Sequence, residues 1–325
     1  MKFPPIYIIS TKARECVEKL NAHKSSFALQ NIDPSVLIHL RRKTLLKSSL
    51  YSARIEGNPL TLEEISVHDS DTDIHIQEVG NLVSSYEKLP STFTQEMNVT
   101  LLKQFHRWIL SGISSGAGYF RNEESAIFNQ AGIAVYLSPA PFHVPSLTTE
   151  LCSYIACSRD PAPITAAVAH IWFEKIHPFL DGNGRVGRLL SSWILSHGGY
   201  DFSGLVSFEE YLESHRSEYY SALGKETQDV SLFIDFYLEA LHEQVVKSFS
   251  NISIDTLVQT NDLLPRREEI YKTICDHGVV SFDFIRRRFL RISERTLHYD
   301  VQQLIKEKYI TKIGSTRGVL YKRRK

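Results

Sequence analysis

The chain has 325 residues, 42% hydrophobic and 23% charged, an ordinary composition for a folded globular protein that excludes a disordered or collagen-like chain. Lys plus Arg and Asp plus Glu balance at 37 each, so the sum implies no general attraction to nucleic acid or anionic lipid. It hides a gradient: from Asp255 onward there are 16 Lys and Arg against 9 Asp and Glu, a basic tail behind a mildly acidic body.

The start, MKFPPIYIIS, is extended, Pro-containing and too short for a signal peptide, and no apolar run approaches the ~18 residues a membrane helix needs. Cys16, Cys152, Cys157 and Cys275 form neither a CxxC pair nor a zinc spacing, which suits a reducing compartment. The expected location is cytoplasmic, with no membrane partner.

A helix is predicted over PSVLIHLRRKTLLKSSLYSARIE, ending near Glu56, where Gly57 and Pro59 stop it. Thr61 to Glu64 has the form of a capping box. Helical periodicity continues through HIQEVGNLVSSYEKL and NVTLLKQFHRWIL. Between Gly118 and Pro145, SAIF and AVYLS flank NQAGI and read as a small β-hairpin. Helices resume in SLTTELCSYIACS, PITAAVAHIWFEKI, RVGRLLSSWILSHGG, SEYYSALGKE and VSLFIDFYLEALHEQVV. The fold class is mainly α, with domains expected at 1–95 (N-terminal helical region), 96–250 (core), 251–265 (linker) and 266–325. The last of these reads helix, short helix, helix, then two short strands around GSTRG, the order of a winged helix.

The chemistry concentrates in IHPFLDGNGRVGRLL, Ile176 to Leu190. A residue before proline is pushed out of the α region, so the preceding helix should stop at His177 and leave its imidazole at the helix exit. Gly182 and Gly184 allow positive φ and an inward-facing nest of N–H groups. A helix starting near Arg185 adds its dipole at the same spot. Arg185 and Arg188 share one face of its first turn, where the dipole disfavours cations. Something negative should sit between them. A polyphosphate fits the guanidinium forks, with Asp181 holding a divalent cation and His177 as general base. The structural alternative is a tight turn whose arginines pair with carboxylates elsewhere.

HPFLDGNGRVGR resembles the signature of the Fic family, HPFx[D/E]GNGRxxR, at every specified position from His177 to Arg188. The resemblance extends over roughly Leu45 to Leu241 and includes GYFR before the hairpin. It implies a helical Fic core, 96–250, that moves AMP from ATP onto a Ser, Thr or Tyr hydroxyl of a target protein, itself included. It implies that His177 deprotonates the hydroxyl and that Asp181 binds Mg²⁺. Gly182, Asn183 and Gly184 would cradle the α- and β-phosphates, with Arg185 near the β- and Arg188 near the γ-phosphate. Tyr219 and Tyr220 fall where related proteins place residues near adenine. Aromatic pairs at helical spacing also form cores, and His170 reads as a buried, hydrogen-bonded support.

SARIEGN, Ser52 to Asn58, resembles the inhibitory [S/T]xxxE[G/N] motif of the family. Glu56 would supply the anion for Arg188 and displace the γ-phosphate, in one chain or across a homodimer. The hairpin would be the flap that registers the target segment. The alternatives are removal of AMP, with Glu56 orienting water, use of another nucleotide donor, and a DNA-binding regulator whose Fic fold senses nucleotide. For DNA, the candidate contacts are Arg295 and Tyr299 near the start of the tail's third helix and Arg317 in the wing.

Overall fold

The computed structural model describes residues 3–28, 32, 34–65, 73–128, 134–224, 228–257, 265–289, 292–314 and 319–324. Chain contacts divide it into two units, one of residues 1–59 and 72–252, the other of residues 60–71 and 253–325. The expected 1–95 and 96–250 segments therefore lie in one unit, except for residues 60–71, which fall in the other.

The first unit is built from helices α1 (Thr11–Ala28) and α2 (Pro34–Ile55). The short α3 (Leu62–Ile65) belongs to the second unit, and α4 (Ile74–Lys88) and α5 (Val99–Ile109) return to the first. Local chemistry sets these boundaries. Asp73 caps α4 by accepting from the His75 N–H, and Asn98 caps α5 by accepting from the Leu101 N–H. The predicted capping box is present, with the Thr61 N–H donating to Glu64 and the Glu64 N–H to Thr61 Oγ, although the helix it opens is described only as far as Ile65.

Strands β1 (Ala126–Phe128) and β2 (Ala134–Leu137) pair antiparallel, with Ala126 opposite Leu137. They are the expected hairpin. The turn read at NQAGI lies outside the described residues. Then follow α6 (Val144–Cys157), α7 (Ala162–Ile176), α8 (Asn183–His197), α9 (Phe208–Ser214), α10 (Arg216–Gly224) and α11 (Ser231–Leu257). Every side chain of α7 from Pro163 to Ile176 is buried, the mark of a helix surrounded on all sides. It packs on α6 and α8, while α5 packs on α8 and α2 lies on α4 and α9. The short connection between α7 and α8 is thus held on the most buried pair of helices in this unit.

The second unit contains α12 (Pro265–His277), β3 (Val279–Ser281), α13 (Phe282–Arg288), α14 (Glu294–Lys306), β4 (Ile310–Ile313) and β5 (Leu320–Arg323). The sheet order is β3-β5-β4, all antiparallel. The sequence reading contained the three helices and the last two strands but not β3, whose three residues are too few to show alternation. Ile270, Ile274, Ile285, Leu297, Val301 and Leu304 form its core with Val280, Ile310 and Tyr321 from the strands. The expected linker at 251–265 overlaps helix, because α11 runs to Leu257. An apolar run at helical spacing did not stop where its packing pattern thinned. Among the described residues no helix is long and apolar enough to cross a membrane.

Candidate active site

The α7–α8 junction begins at His177, whose N–H still donates to the Phe173 carbonyl, 2.9 Å away. The helix stops here as expected, but by a left-handed turn, φ 49° and ψ 61°, rather than by extended backbone. A non-glycine residue holds this conformation only when its surroundings over-determine it. Arg121 does so in part, donating from Nε to the His177 carbonyl at 2.7 Å. Burial depresses the His177 pKa below its ordinary value, and Nδ1 is buried with no hydrogen-bond partner among the described residues. A neutral imidazole with an uncommitted nitrogen is what a general base requires.

Gly182 has φ 77° and precedes α8, so the expected positive φ is found there. Gly184 is different: it lies within α8 and does not adopt positive φ. Its glycine is required by close approach, since a Cβ there would overlap the Glu56 carboxylate and crowd Arg188. The helix starts at Asn183, two residues before the expected point. The Asn183 side chain is committed to the loop itself, accepting from the Phe179 N–H at 2.9 Å and donating to the Phe179 carbonyl at 2.8 Å. These two bonds brace the loop.

Each arginine has its own carboxylate. Arg188 is buried and donates to Glu56 Oε1 at 2.8 Å, to Ser52 Oγ at 2.9 Å and to the Ser52 carbonyl at 2.8 Å. Burial by itself would depress its pKa, but the Glu56 charge and hydrogen bond, together with Tyr219 and Tyr220, outweigh burial and raise it. Glu56 sits just past the end of α2, where Gly57 at φ 100° turns the chain, and its side chain is 31% exposed. Arg185 pairs with Glu78 and, at 2.8 Å, with Asp181. Glu78 in turn accepts from Asn58 at 2.8 Å. Glu78 was not among the candidates, and a partner 107 positions away leaves no local signal.

Other residues brace this arrangement. His106 on α5 lies flat against Phe179, with ring centroids 3.8 Å apart. It accepts the Gly118 N–H at Nδ1, 2.7 Å, which leaves Nε2–H for the Asp181 carbonyl at 3.1 Å. Burial lowers its pKa to about 4, so it remains neutral. His170 is the buried support expected of it, bridging Ser191 and Tyr219 at 3.0 and 2.8 Å. The Tyr219 ring is fully buried in the core. Tyr220 is half-buried and donates to the Ile55 carbonyl at 3.2 Å, fastening the end of α2 that carries Glu56. Glu174, missed in the sequence, has an unpartnered buried Oε1 that lies against Gly187.

The Asp181 side chain is 65% exposed, and among the described residues no group of three or more metal-ligating side chains exists. One accessible carboxylate with substrate oxygens and water is the ordinary donor set for Mg²⁺, so the residues present fit that ion.

A helical scaffold that presents a neutral histidine, an exposed aspartate and two buried arginines around one helix entry has the features of a phosphate-handling enzyme site. Residues 96–195 match the family model described as the Fic/DOC family. Relatives named "Protein adenylyltransferase Fic" include one from Drosophila willistoni, 26% identical over 209 residues, covering 59% of this chain and 40% of that protein. Another, from Drosophila persimilis, is 24% identical over 208 residues, covering 59% and 39%. The match thus spans about two fifths of these relatives' length. Among solved structures, a Fic family protein from Desulfovibrio desulfuricans G20 superposes with a TM-score of 0.71 at 22% identity, covering 99% of this chain and 98% of that one. Fic-1 (residues 134–508) from C. elegans superposes with a TM-score of 0.62 at 20% identity, covering 76% and 74%.

Proposed function

We propose that the protein is an adenylyltransferase that moves AMP from ATP to a hydroxyl side chain of a target protein, and that Glu56 restrains it. The carrying observation is the pairing of buried Arg188 with Glu56, an acid from a distant helix placed over the helix entry that the signature loop builds. The names of the relatives support the reaction class.

In this reading the incoming nucleotide takes the place of Glu56 on Arg188 and is met by Arg185 and the free N–H groups at the start of α8. His177 receives the proton of the target hydroxyl. The hydroxyl oxygen bonds to the α-phosphorus, the bond from that phosphorus to the bridging oxygen breaks, and pyrophosphate leaves with the electron pair. Asp181 would hold Mg²⁺, which supplies charge neutralisation on the phosphates. Charge placement carries most of such a reaction, and here the chain's own contribution is two arginines with fixed geometry and a base kept neutral by burial.

The test is transfer of α-labelled ATP with Mg²⁺. Label should enter the Glu56→Gly protein or a protein in cell extract, and should be lost in Glu56→Gly/His177→Ala. Absence of label in every variant that still binds ATP would overturn the reading.

For the second unit we propose a winged helix that docks on DNA. Arg295 and Tyr299 lie one turn apart on the exposed face of α14, while Leu297, Val301 and Leu304 fill its core. Arg317, the third candidate contact, lies outside the described residues. Tyr299 also carries Arg267 over its ring, 5.4 Å from the centroid. Retention of the full chain on duplex DNA that weakens with salt and with Arg295→Ala supports this; retention unchanged by that substitution counts against it.

A further inference from the structure

The segment Gly118 to Arg121 takes no part in the transfer steps above, yet Arg121 is only 3% exposed. Among the described residues no carboxylate lies at ion-pair distance from it. Its guanidinium serves carbonyl oxygens instead: Nε donates to His177 at 2.7 Å, one terminal nitrogen to Glu123 at 2.7 Å, and the other to Pro139 at 2.5 Å and Ile176 at 3.4 Å. The Arg121 N–H donates to the Pro178 carbonyl at 3.0 Å.

These acceptors have a pattern. Ile176 and His177 end α7, where carbonyls lack helical partners and a cation is favoured. Glu123 precedes β1 and Pro139 follows β2, the two roots of the hairpin. One planar side chain therefore ties both roots of the hairpin to the backbone of His177, at the residue that holds the left-handed turn. A lysine ammonium, a point charge without the planar fork, cannot serve these divergent carbonyls together.

We propose that Arg121 is a positioning residue that couples the β1–β2 hairpin to His177, so that the hairpin's placement sets the direction of the imidazole. The inference rests on the transfer reading above. It requires that Arg121 affect the chemical step and leave nucleotide binding alone, because the phosphate-facing residues start at Asp181 and none of Arg121's bonds reaches them.

The experiment compares Arg121→Lys and Arg121→Gln in the Glu56→Gly background, measuring label from α-labelled ATP entering the chain itself and protein in cell extract. The expected result is a fall in kcat of at least about tenfold in both variants, the scale of a misplaced catalytic group, with KM for ATP within about twofold of the parent. The Arg121 charge also lowers the His177 pKa, so the acid limb of the pH profile should move to higher pH in Arg121→Gln and stay in place in Arg121→Lys. Parental rates in folded variants, or a KM for ATP that rises in step with the loss of kcat, would overturn the coupling. If Arg121→Gln does not fold, Arg121→Lys decides by the same split. A Glu56→Gly parent that transfers no label overturns the transfer reading and this inference with it, whereas a labelling parent with unaffected Arg121 variants overturns this inference only.

Discussion

Replacing Glu56 by glycine removes the acid from Arg188 while leaving the Ser52 contacts in place. A hydrogen bond to a charged group contributes about 1.5–3 kcal/mol, and the 31% exposure of Glu56 places this one toward the lower end, about 1.5–2 kcal/mol, through solvent screening. At about 1.4 kcal/mol per factor of ten, Arg188 becomes available to an incoming phosphate roughly 10- to 30-fold more often. Labelling from α-labelled ATP should rise by at least that factor over wild type at subsaturating ATP. The double variant Glu56→Gly/His177→Ala should return it to background. Equal labelling of wild type and Glu56→Gly, with equal ATP affinity, would refute the argument that this ion pair restrains the site, and equal labelling of the single and double variants would remove His177 from the chemistry.

Further outcomes follow from the same geometry. Gly184→Ala places a methyl group where the Glu56 carboxylate lies and against Arg188, the place the incoming phosphate takes, so it should lower labelling in the Glu56→Gly background; unchanged labelling there contradicts the close approach. Because burial keeps His177 neutral below the ordinary histidine range, the acid limb of the transfer rate should fall below pH ~6.5; a midpoint above 7 speaks against it as the base. Burial raises Glu174 to about 8, with Glu56 adding to the rise and Arg188 opposing it. Its neutral form favours the folded state fully below the unfolded carboxylate pKa, and that contribution is lost as pH rises toward 8. Glu174→Gln should therefore increase stability at pH 8, by on the order of 4 kcal/mol, and change it little at pH 4.5, as read by denaturant unfolding. Burial, helped by the Arg188 charge, lowers His170 to about 3. The unfolded chain binds the extra proton below pH ~6.5, so stability falls toward pH 3 by about 1.4 kcal/mol per unit from this residue. His170→Gln should flatten that slope in unfolding curves taken between pH 4 and 7; an unchanged slope would place the titration elsewhere.

The helices were legible wherever the apolar spacing was strong, as in α5 and α14, and the hairpin was legible as two short apolar segments around a glycine. The junction was legible because its residues are consecutive: His177, Asp181, Gly182, Arg185 and Arg188 need only local backbone to come together. Asn183 and Tyr219 were placed by type and position rather than by direction, and both turn inward, to the Phe179 backbone and to His170 respectively. Gly184 was read as a residue of positive φ when its lack of a Cβ serves a neighbour 128 positions earlier. β3 and the extension of α11 to Leu257 are set by packing, which overrides weak local pattern.

Short-range information determined that α7 ends at His177, that a turn follows, and that a new helix opens on two arginines, because proline, glycine and helix-terminus chemistry act within a few residues. What each arginine binds was beyond that range. Only the folded chain brings Glu56 from the end of α2 to Arg188, within the same chain, and Glu78 from α4 to Arg185. It also directs Arg121 onto the His177 carbonyl. Those partners depend on how α2, α4 and the hairpin pack around α7 and α8, and a guanidinium buried there must find its acceptors wherever the packing leaves them.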